Sequence, residues 1–423
     1  MVLNKFDRGV ASEFGSPTAR FAALLIVLFY FCFVTGRIWP WYSSNVAYVS
    51  PIATFVGAAV VAWAALQQAR TARLRHEAQT KADVERRITE SISKSSEQLG
   101  HDKIEVRLGG IYTMERISNE SPSDYWTVIE ILTAFVRDRA NWEQDAASAT
   151  ANDLIETKVS RSRKRPPTDI AAVLTVIKRR LAENIKRDRE LGRTVDLHGA
   201  DLRYTILEGL DLEKAELTNA NLADANLQDA NLLNANIFNA NLERADISGA
   251  NLENADLREA NLKRTVLVRT KLEGAKLVRA NFEGSIGFLT KLSKANLFEA
   301  NLARVRFVHM GFEEADLENA NLENASISRS NLAMANLKAT NLLNASLVGC
   351  SLENANLESA NLEGAQLIDV SIAGANLENA NLANANLSEV QDLEDDQVAK
   401  AEGNERTALP PNVKPPEHWR LQT

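Results

Sequence analysis

Cysteine is almost absent from this sequence of 423 residues, which contains only Cys32 and Cys350. Two widely separated cysteines without a C-x-x-C pair exclude a disulfide framework and are typical of a protein in a reducing compartment. Aromatic residues are scarce as well, at 6% of the chain. We therefore expect a core made mainly of Leu and Ala side chains.

The sequence also lacks the motifs that mark most active sites. Its five histidines, at positions 76, 101, 198, 309 and 418, do not have the spacing of metal ligands. It contains no glycine-rich phosphate loop, no nucleophile elbow and no Cys/His pair. We expect no enzyme activity, no cofactor, no metal and no small-molecule substrate. The net charge of −8 argues against a nucleic-acid partner.

Two apolar segments near the N-terminus predict a transmembrane helical hairpin at residues 21–66. Residues 21–42 contain a single charge, Arg37, and residues 46–66 contain none. Each segment reaches the length of about 20 residues that a helix needs to cross a bilayer. Lys and Arg lie before the first segment and after the second, so the positive-inside rule predicts a cytoplasmic tail at 1–20 and a cytoplasmic C-terminus. Two alternatives stay open: a cleaved signal peptide, or two buried helices of a soluble domain.

The middle of the chain is expected to be helical and cytoplasmic over residues 67–141. Residues 142–167 have no apolar period and are interpreted as a linker. Residues 168–193 predict a basic capping helix, since residues 158–193 contain 12 Lys and Arg against 4 Asp and Glu. Such a helix could cap the domain that follows or lie on an anionic membrane surface, and the two roles are compatible.

From Leu197 to Leu387 a large apolar residue recurs at every fifth position. Leu, Ile or Phe occupies all but one of these 39 positions, and the exception is Gly287. Five residues in a helix turn by about 500°, which forms no single apolar stripe. Because five is odd, a flat strand would place successive leucines on opposite faces. The chain must turn once per repeat, which indicates a solenoid that buries its core by stacking.

The recurring Ala-(Asp/Asn)-Leu unit resembles the signature of the pentapeptide-repeat family, and the resemblance covers residues 194–390. It implies a mainly β fold, a right-handed quadrilateral β-helix of about ten coils with four repeats in each and every Leu inside. The complete fold prediction is this solenoid, preceded by an α-helical region with the two-helix transmembrane hairpin. The segment from Thr407 to Trp419 resembles the end of many bacterial members. Residues 391–423 are expected to form a C-terminal cap and tail, with Leu409 and Trp419 packed over the last coil.

Charge is zoned along the repeat. The net charge is −9 over residues 195–262, +7 over 263–309 and −9 over 310–390. The basic zone overlaps the stretch in which the repeat is most degenerate. It predicts a candidate protein-docking site for an acidic partner, with the neutral drift of surface residues as the alternative. This basic belt consists of Lys263, Arg264, Arg269, Lys271, Lys276, Arg279, Lys291, Lys294, Arg304 and Arg306.

These features favour a non-catalytic scaffold for protein–protein interaction. It would be held by residues 21–66 in the lipid bilayer of a bacterial inner membrane, with the solenoid in the cytoplasm. The alternative that the resemblance suggests is a DNA-mimicking solenoid that binds a type II topoisomerase. An enzyme or transporter component ranks last, because the two segments offer no pathway of intramembrane charges. The identity of the protein partner and the oligomeric state stay open.

Overall fold

The computed structural model describes residues 39–140 and 165–421. The chain divides into two compact units, residues 1–87 and residues 88–423. The described part of the first unit belongs to one helix, α1 (Trp39–Leu99), which is kinked at Asn45. From Thr54 to Arg86 the side chains of α1 are exposed, including Phe55 and Val61.

The membrane prediction has to be corrected. None of the described helices is sufficiently long and apolar to traverse a bilayer. The fold class with a transmembrane hairpin and the multi-pass inner-membrane localisation are therefore wrong. Most of the first predicted span, residues 21–38, lies outside the described residues.

Among the described residues of the second unit, four further helices precede the solenoid: α2 (Ile104–Glu120), α3 (Tyr125–Arg139), α4 (Thr168–Lys178) and α5 (Ala182–Glu190). Apolar residues at helical spacing, among them Met114, Leu132 and Ile177, are fully buried between them. This core is continuous with the core of the solenoid. The helices therefore cover the first coil, whose leucines would otherwise be exposed.

Arginines of this helical region, one on α3 and one between α4 and α5, also satisfy the open edge of the first coil. Arg137 donates a hydrogen bond of 2.7 Å from Nη1 to the carbonyl oxygen of Asp196. Arg180 donates one of 2.7 Å from Nη2 to the carbonyl oxygen of Asp211. Elsewhere in the solenoid such carbonyls accept from the preceding coil. The arginines thus replace a missing coil and block edge-to-edge pairing.

The repeat forms a right-handed β-solenoid in which residues 20 positions apart pair in parallel, from Asp196 to Gln391. The C-terminal segment adds the last two pairs, Asn381 with Glu402 and Asn386 with Ala408. One face carries a six-stranded sheet in the order of the chain, joined by five 20-residue steps. The sheet therefore spans about five turns of the solenoid. The sequence predicts about ten coils of β-helix. On both sides of the sheet the register continues through isolated bridges. The strands are β1 (Val266–Val268), β2 (Ile286–Phe288), β3 (Arg306–Val308), β4 (Ser326–Ser328), β5 (Ser346–Val348) and β6 (Gln366–Ile368).

The inside of the solenoid follows the five-residue pattern directly. The central apolar residue of each repeat and the small residue two positions before it are buried, as at Leu257 and Ala255. The second residue after the centre has a left-handed backbone, as at Asn319 with φ of 58°. This conformation turns the chain at each corner, and Asn, Asp and Gly tolerate it well.

The last coil is covered by the C-terminal segment, which includes α6 (Asp395–Ala399) and a 3₁₀ helix (Glu417–Leu421). Trp419 is buried, and its Nε1 donates a hydrogen bond of 2.9 Å to the carbonyl oxygen of Ala401. Leu409 packs against the same core. The ring of Trp419 lies against Gly403, where a Cβ atom would come within 2.6 Å of it.

Candidate docking surface

The basic belt is distributed over all four faces of the solenoid. Because residues 20 positions apart stack, each belt residue can be assigned to a face by its number. Four lie on the same face as β1–β6 or at one of its two corners: Arg264, Arg269, Arg304 and Arg306. Arg304 stacks two coils above Arg264. The other six lie elsewhere on the four faces: Lys263, Lys271, Lys276, Arg279, Lys291 and Lys294.

Most of the belt is paired with acidic residues on neighbouring coils. Six of its ten members form an ion pair, at nitrogen–oxygen distances from 2.6 to 3.7 Å. The hydrogen bond from Lys263 holds the pKa of Glu283 below its ordinary value, and the charge of Arg304 lowers it further. The belt is therefore largely neutralised locally. The paired members are Lys263, Lys271, Arg279, Lys291, Lys294 and Arg304.

One face of the same segment exposes apolar side chains. Ile286 is 41% exposed and Phe288 is 40% exposed, although both flank the solenoid core. Val266, Val268 and Val308 lie beside them on the adjacent strands β1 and β3, in parallel register. We call these five residues the apolar face. At the corner next to Phe288, Leu289 adds a further exposed side chain.

On this face, the six strands lie in successive coils in which the residue before the central one is neither Asn nor Asp. Asn226 and Asp246 occupy this position in the two coils before β1 on this face. Their side-chain oxygens accept hydrogen bonds from the N–H groups of Gln228, at 2.9 Å, and Ser248, at 3.0 Å. Such a bond bends the backbone into a turn. Val266 cannot make it, so the chain there stays extended and its side chains stand outward.

Positive charge lies along both edges of the apolar face. Arg306 lies on β3 itself, and Arg269 and Arg329 lie at the corner that follows the strands. The His309 ring lies at the same corner and packs edge-on against Phe288, with ring centroids 5.8 Å apart. At the opposite corner are Arg264 and Arg304, described below. The structure thus combines an apolar centre with a basic rim.

Sequence reasoning found part of this surface and missed its centre. In the sequence, Ile286 and Phe288 stand out only as members of the stretch in which the five-residue repeat is most degenerate. Val266, Val268 and Val308 were not singled out. A signal was present: when the sequence is read in steps of 20 residues, these positions fall in two neighbouring columns that elsewhere contain mostly Asn, Ser and charged residues.

The described residues contain no group of His, Cys, Asp and Glu side chains that could hold a metal ion. Cys350 is buried at a small-residue position of the core, and burial raises the pKa of its thiol. It acts there as a small apolar residue.

Comparison with known proteins places these observations in a family. The family model described as pentapeptide repeats matches successive segments from residue 196 to residue 391. No curated protein matches the chain.

Several solved structures are similar to the chain. HetL is a pentapeptide repeat protein involved in heterocyst differentiation regulation from the cyanobacterium Nostoc sp. strain PCC 7120. It is 33% identical over 49% of this chain and 96% of its own, with a TM-score of 0.40. The Nostoc pentapeptide repeat protein alr5209 is 36% identical over 25% of this chain and 77% of its own, with a TM-score of 0.14. QnrB1, a plasmid-mediated fluoroquinolone resistance protein, is 17% identical over 52% of this chain and 90% of its own, with a TM-score of 0.31.

These TM-scores are below 0.5, so the superpositions alone establish no common overall fold. The assignment depends on the repeat itself: its match over residues 196–391, its pairing at 20-residue intervals, and 33% identity to HetL over nearly all of that protein. On these grounds the chain belongs to the pentapeptide-repeat family.

Proposed function

We propose that the protein is a non-catalytic scaffold that binds another protein through the apolar face of its solenoid. The observation that carries the proposal is the outward exposure of Ile286 and Phe288 on a rigid sheet. Exposed contiguous apolar surface on a soluble fold is costly and commonly marks an interaction site. The basic rim favours a partner surface that combines apolar and acidic side chains.

The rigidity of the solenoid supports this role. Each coil is tied to the next by backbone hydrogen bonds of about the same length, such as Leu272 to Lys291 at 2.8 Å and Leu292 to Gly311 at 2.6 Å. A surface held in this way loses little conformational entropy when a partner binds. The apolar face therefore needs no rearrangement to bind.

The DNA-mimicking alternative is less favoured. A mimic of a DNA backbone needs acidic residues along an unbroken surface. Here Arg264, Arg269 and Arg306, for which no ion pair occurs within the described part of the chain, interrupt the acidic zones in the middle of the solenoid.

The proposal can be tested by crosslinking and affinity capture of the full-length chain beside the double variant Ile286→Ser/Phe288→Ser. Both side chains are exposed, so we expect the free energy of unfolding to change by less than about 1 kcal/mol. A partner recovered with the unchanged chain should be lost with the variant, by at least a factor of about ten in recovered amount.

Val348→Ser/Ile368→Ser is the matched control. These residues stand outward on β5 and β6, in the column of Phe288 but on coils outside the apolar face. The control should retain the partner. Equal recovery with all three proteins would show that the apolar face is not the docking surface, and loss with both variants would assign binding to the sheet as a whole.

A further inference from the structure

A depression of about 260 Å³ lies at the corner beside the apolar face. It forms because Gly284 interrupts a stacked column of arginines. Arg264 precedes Gly284 by one coil and Arg304 follows it by one coil. Two coil steps separate the two arginine backbones by about 10 Å. We call this depression, lined by Glu243, Lys263, Arg264, Glu283, Gly284 and Arg304, the Gly284 cleft.

Nothing fills the position of the missing side chain. A Cβ atom at Gly284 would have only the Cγ atom of Arg264 within 4 Å, at 3.7 Å. The φ angle of Gly284 is 70°, close to the values at which Asn, Arg and Lys occupy equivalent corners of this solenoid. Glycine is therefore not required here by the backbone, and its effect is to leave the cleft open.

The charges around the cleft are unequal. Glu283 accepts from Lys263 at 2.7 Å and from Arg304 at 3.0 Å, so its charge is already engaged. Glu243 forms an ion pair with Arg244, which also holds Asp224 at 2.7 Å. Within the described part of the chain the guanidinium group of Arg264 has neither an ion pair nor a hydrogen bond. The cleft thus contains three cations, and one of them has no partner.

We propose that the Gly284 cleft binds a compact oxyanion of the phosphate class, held between the guanidinium groups of Arg264 and Arg304. Planar guanidinium groups donate paired hydrogen bonds to tetrahedral oxyanions, and two of them on opposite sides of a cleft contact different oxygens of one group. Lys263 adds a third positive charge to the lining. Arg264 and Arg304 also belong to the rim of the apolar face, but phosphate binding in the cleft requires no partner there.

The test is a titration of the full-length chain with inorganic phosphate at constant ionic strength, followed by calorimetry or by the NMR signals of arginine side chains. We expect saturable binding by the unchanged chain. Arg264→Gln should bind at least about tenfold more weakly, and Gly284→Asn should bind as weakly because its side chain fills the cleft. Affinity should rise as the pH passes about 7, where inorganic phosphate acquires its second charge; for the monoester O-phosphoserine the rise should come at about pH 6.

Gly349→Asn is the matched control. A Cβ atom at Gly349 would lie 3.6 Å from the Cγ atom of Arg329, and one at Gly284 would lie 3.7 Å from the Cγ atom of Arg264. On the coil after Gly349, however, Asp369 takes the place of a second arginine. This variant should bind phosphate normally. Equal affinity of all four proteins, or equal affinity for acetate and phosphate, would overturn the proposal. Titration with O-phosphoserine distinguishes two kinds of site. O-phosphoserine competes with phosphate if the cleft accepts a phosphoryl ester, and it does not compete if the cleft accepts the free ion only.

Discussion

Phe307 occupies the core space that Gly287 leaves empty. A Cβ atom at Gly287 would lie 2.9 Å from Cδ1 of Phe307 and 3.0 Å from Cε of Met310. Gly287 is the only central position of the repeat without a large apolar residue, and it pairs directly with Phe307 on the next strand. A large side chain on one coil thus compensates for the missing one on the preceding coil.

Gly287→Leu is therefore expected to destabilise the solenoid, although leucine is the consensus residue at this position. Overpacking of a dense core costs about 1–3 kcal/mol. Chemical denaturation of the single variant should show this loss in the free energy of unfolding. The triple variant Gly287→Leu/Phe307→Leu/Met310→Ala should recover most of it, since it restores Leu at both central positions and a small residue at 310. A single variant as stable as the unchanged chain would contradict this account of the core.

Stacked asparagines form a hydrogen-bonded ladder along one face, and Asn301 is a member of it. Its Nδ2 donates to Oδ1 of Asn281 at 3.1 Å, and its Oδ1 accepts from Nδ2 of Asn321 at 3.3 Å. Asn301→Asp removes the donor and adds a negative charge beside an oxygen acceptor. We expect a loss of about 1–2 kcal/mol in the free energy of unfolding.

The control for the ladder is Asn319→Asp, at an exposed corner position with φ of 58°. It introduces the same charge change without breaking the ladder, so its effect on unfolding should be within about 0.5 kcal/mol. If both variants lost the same stability, the added charge and not the ladder would be responsible.

Asp169 links the helices that cover the first coil. Its Oδ2 accepts from Nε of Arg107 at 2.8 Å and from Nε of Arg139 at 3.0 Å. Burial alone would raise the pKa of Asp169, but the hydrogen bonds from Arg107 and Arg139 outweigh it and hold the pKa below its ordinary value. The stability that this group contributes is present above its unfolded pKa, near 3.9, and is lost as the pH falls through the lower folded pKa.

Asp169→Asn should therefore destabilise the protein at neutral pH by about 3–5 kcal/mol, because the buried Arg107 loses its counter-charge. The difference from the unchanged chain should shrink as the pH falls below about 4. Thermal unfolding between pH 3 and pH 7 measures it, with the exposed substitution Asp138→Asn as control. A difference that stays constant over this range would show that the carboxylate charge contributes nothing.

The docking surface was predictable only in part. The ten belt residues are visible in the sequence, but their pairing is not. Lys263 meets Glu283 and Arg279 meets Glu299 because each pair lies 20 residues apart on adjacent coils. Counting charges along the chain joined them into one basic zone. The fold separates that zone into ion pairs, a rim around the apolar face and the Gly284 cleft.

The membrane prediction failed for a different reason. Hydropathy alone cannot distinguish a spanning helix from an apolar part of a longer helix that continues into polar residues. α1 continues from its apolar part through Gln67 and Arg70 to Leu99. Within the described residues, neither α1 nor any other helix is long and apolar enough to cross a bilayer.

By itself the sequence determined the solenoid, because a strict five-residue period with inward Leu and Ala permits no other regular structure in which every leucine faces one interior. Tertiary structure alone decided which outward side chains become neighbours, since that depends on the number of residues in a coil. The 20-residue register brings Val266, Ile286 and Val308 into one apolar face and places Gly284 between Arg264 and Arg304. Residues four and eight repeats apart become neighbours only in this register, so the candidate sites depend on the stacking and not on the repeat alone.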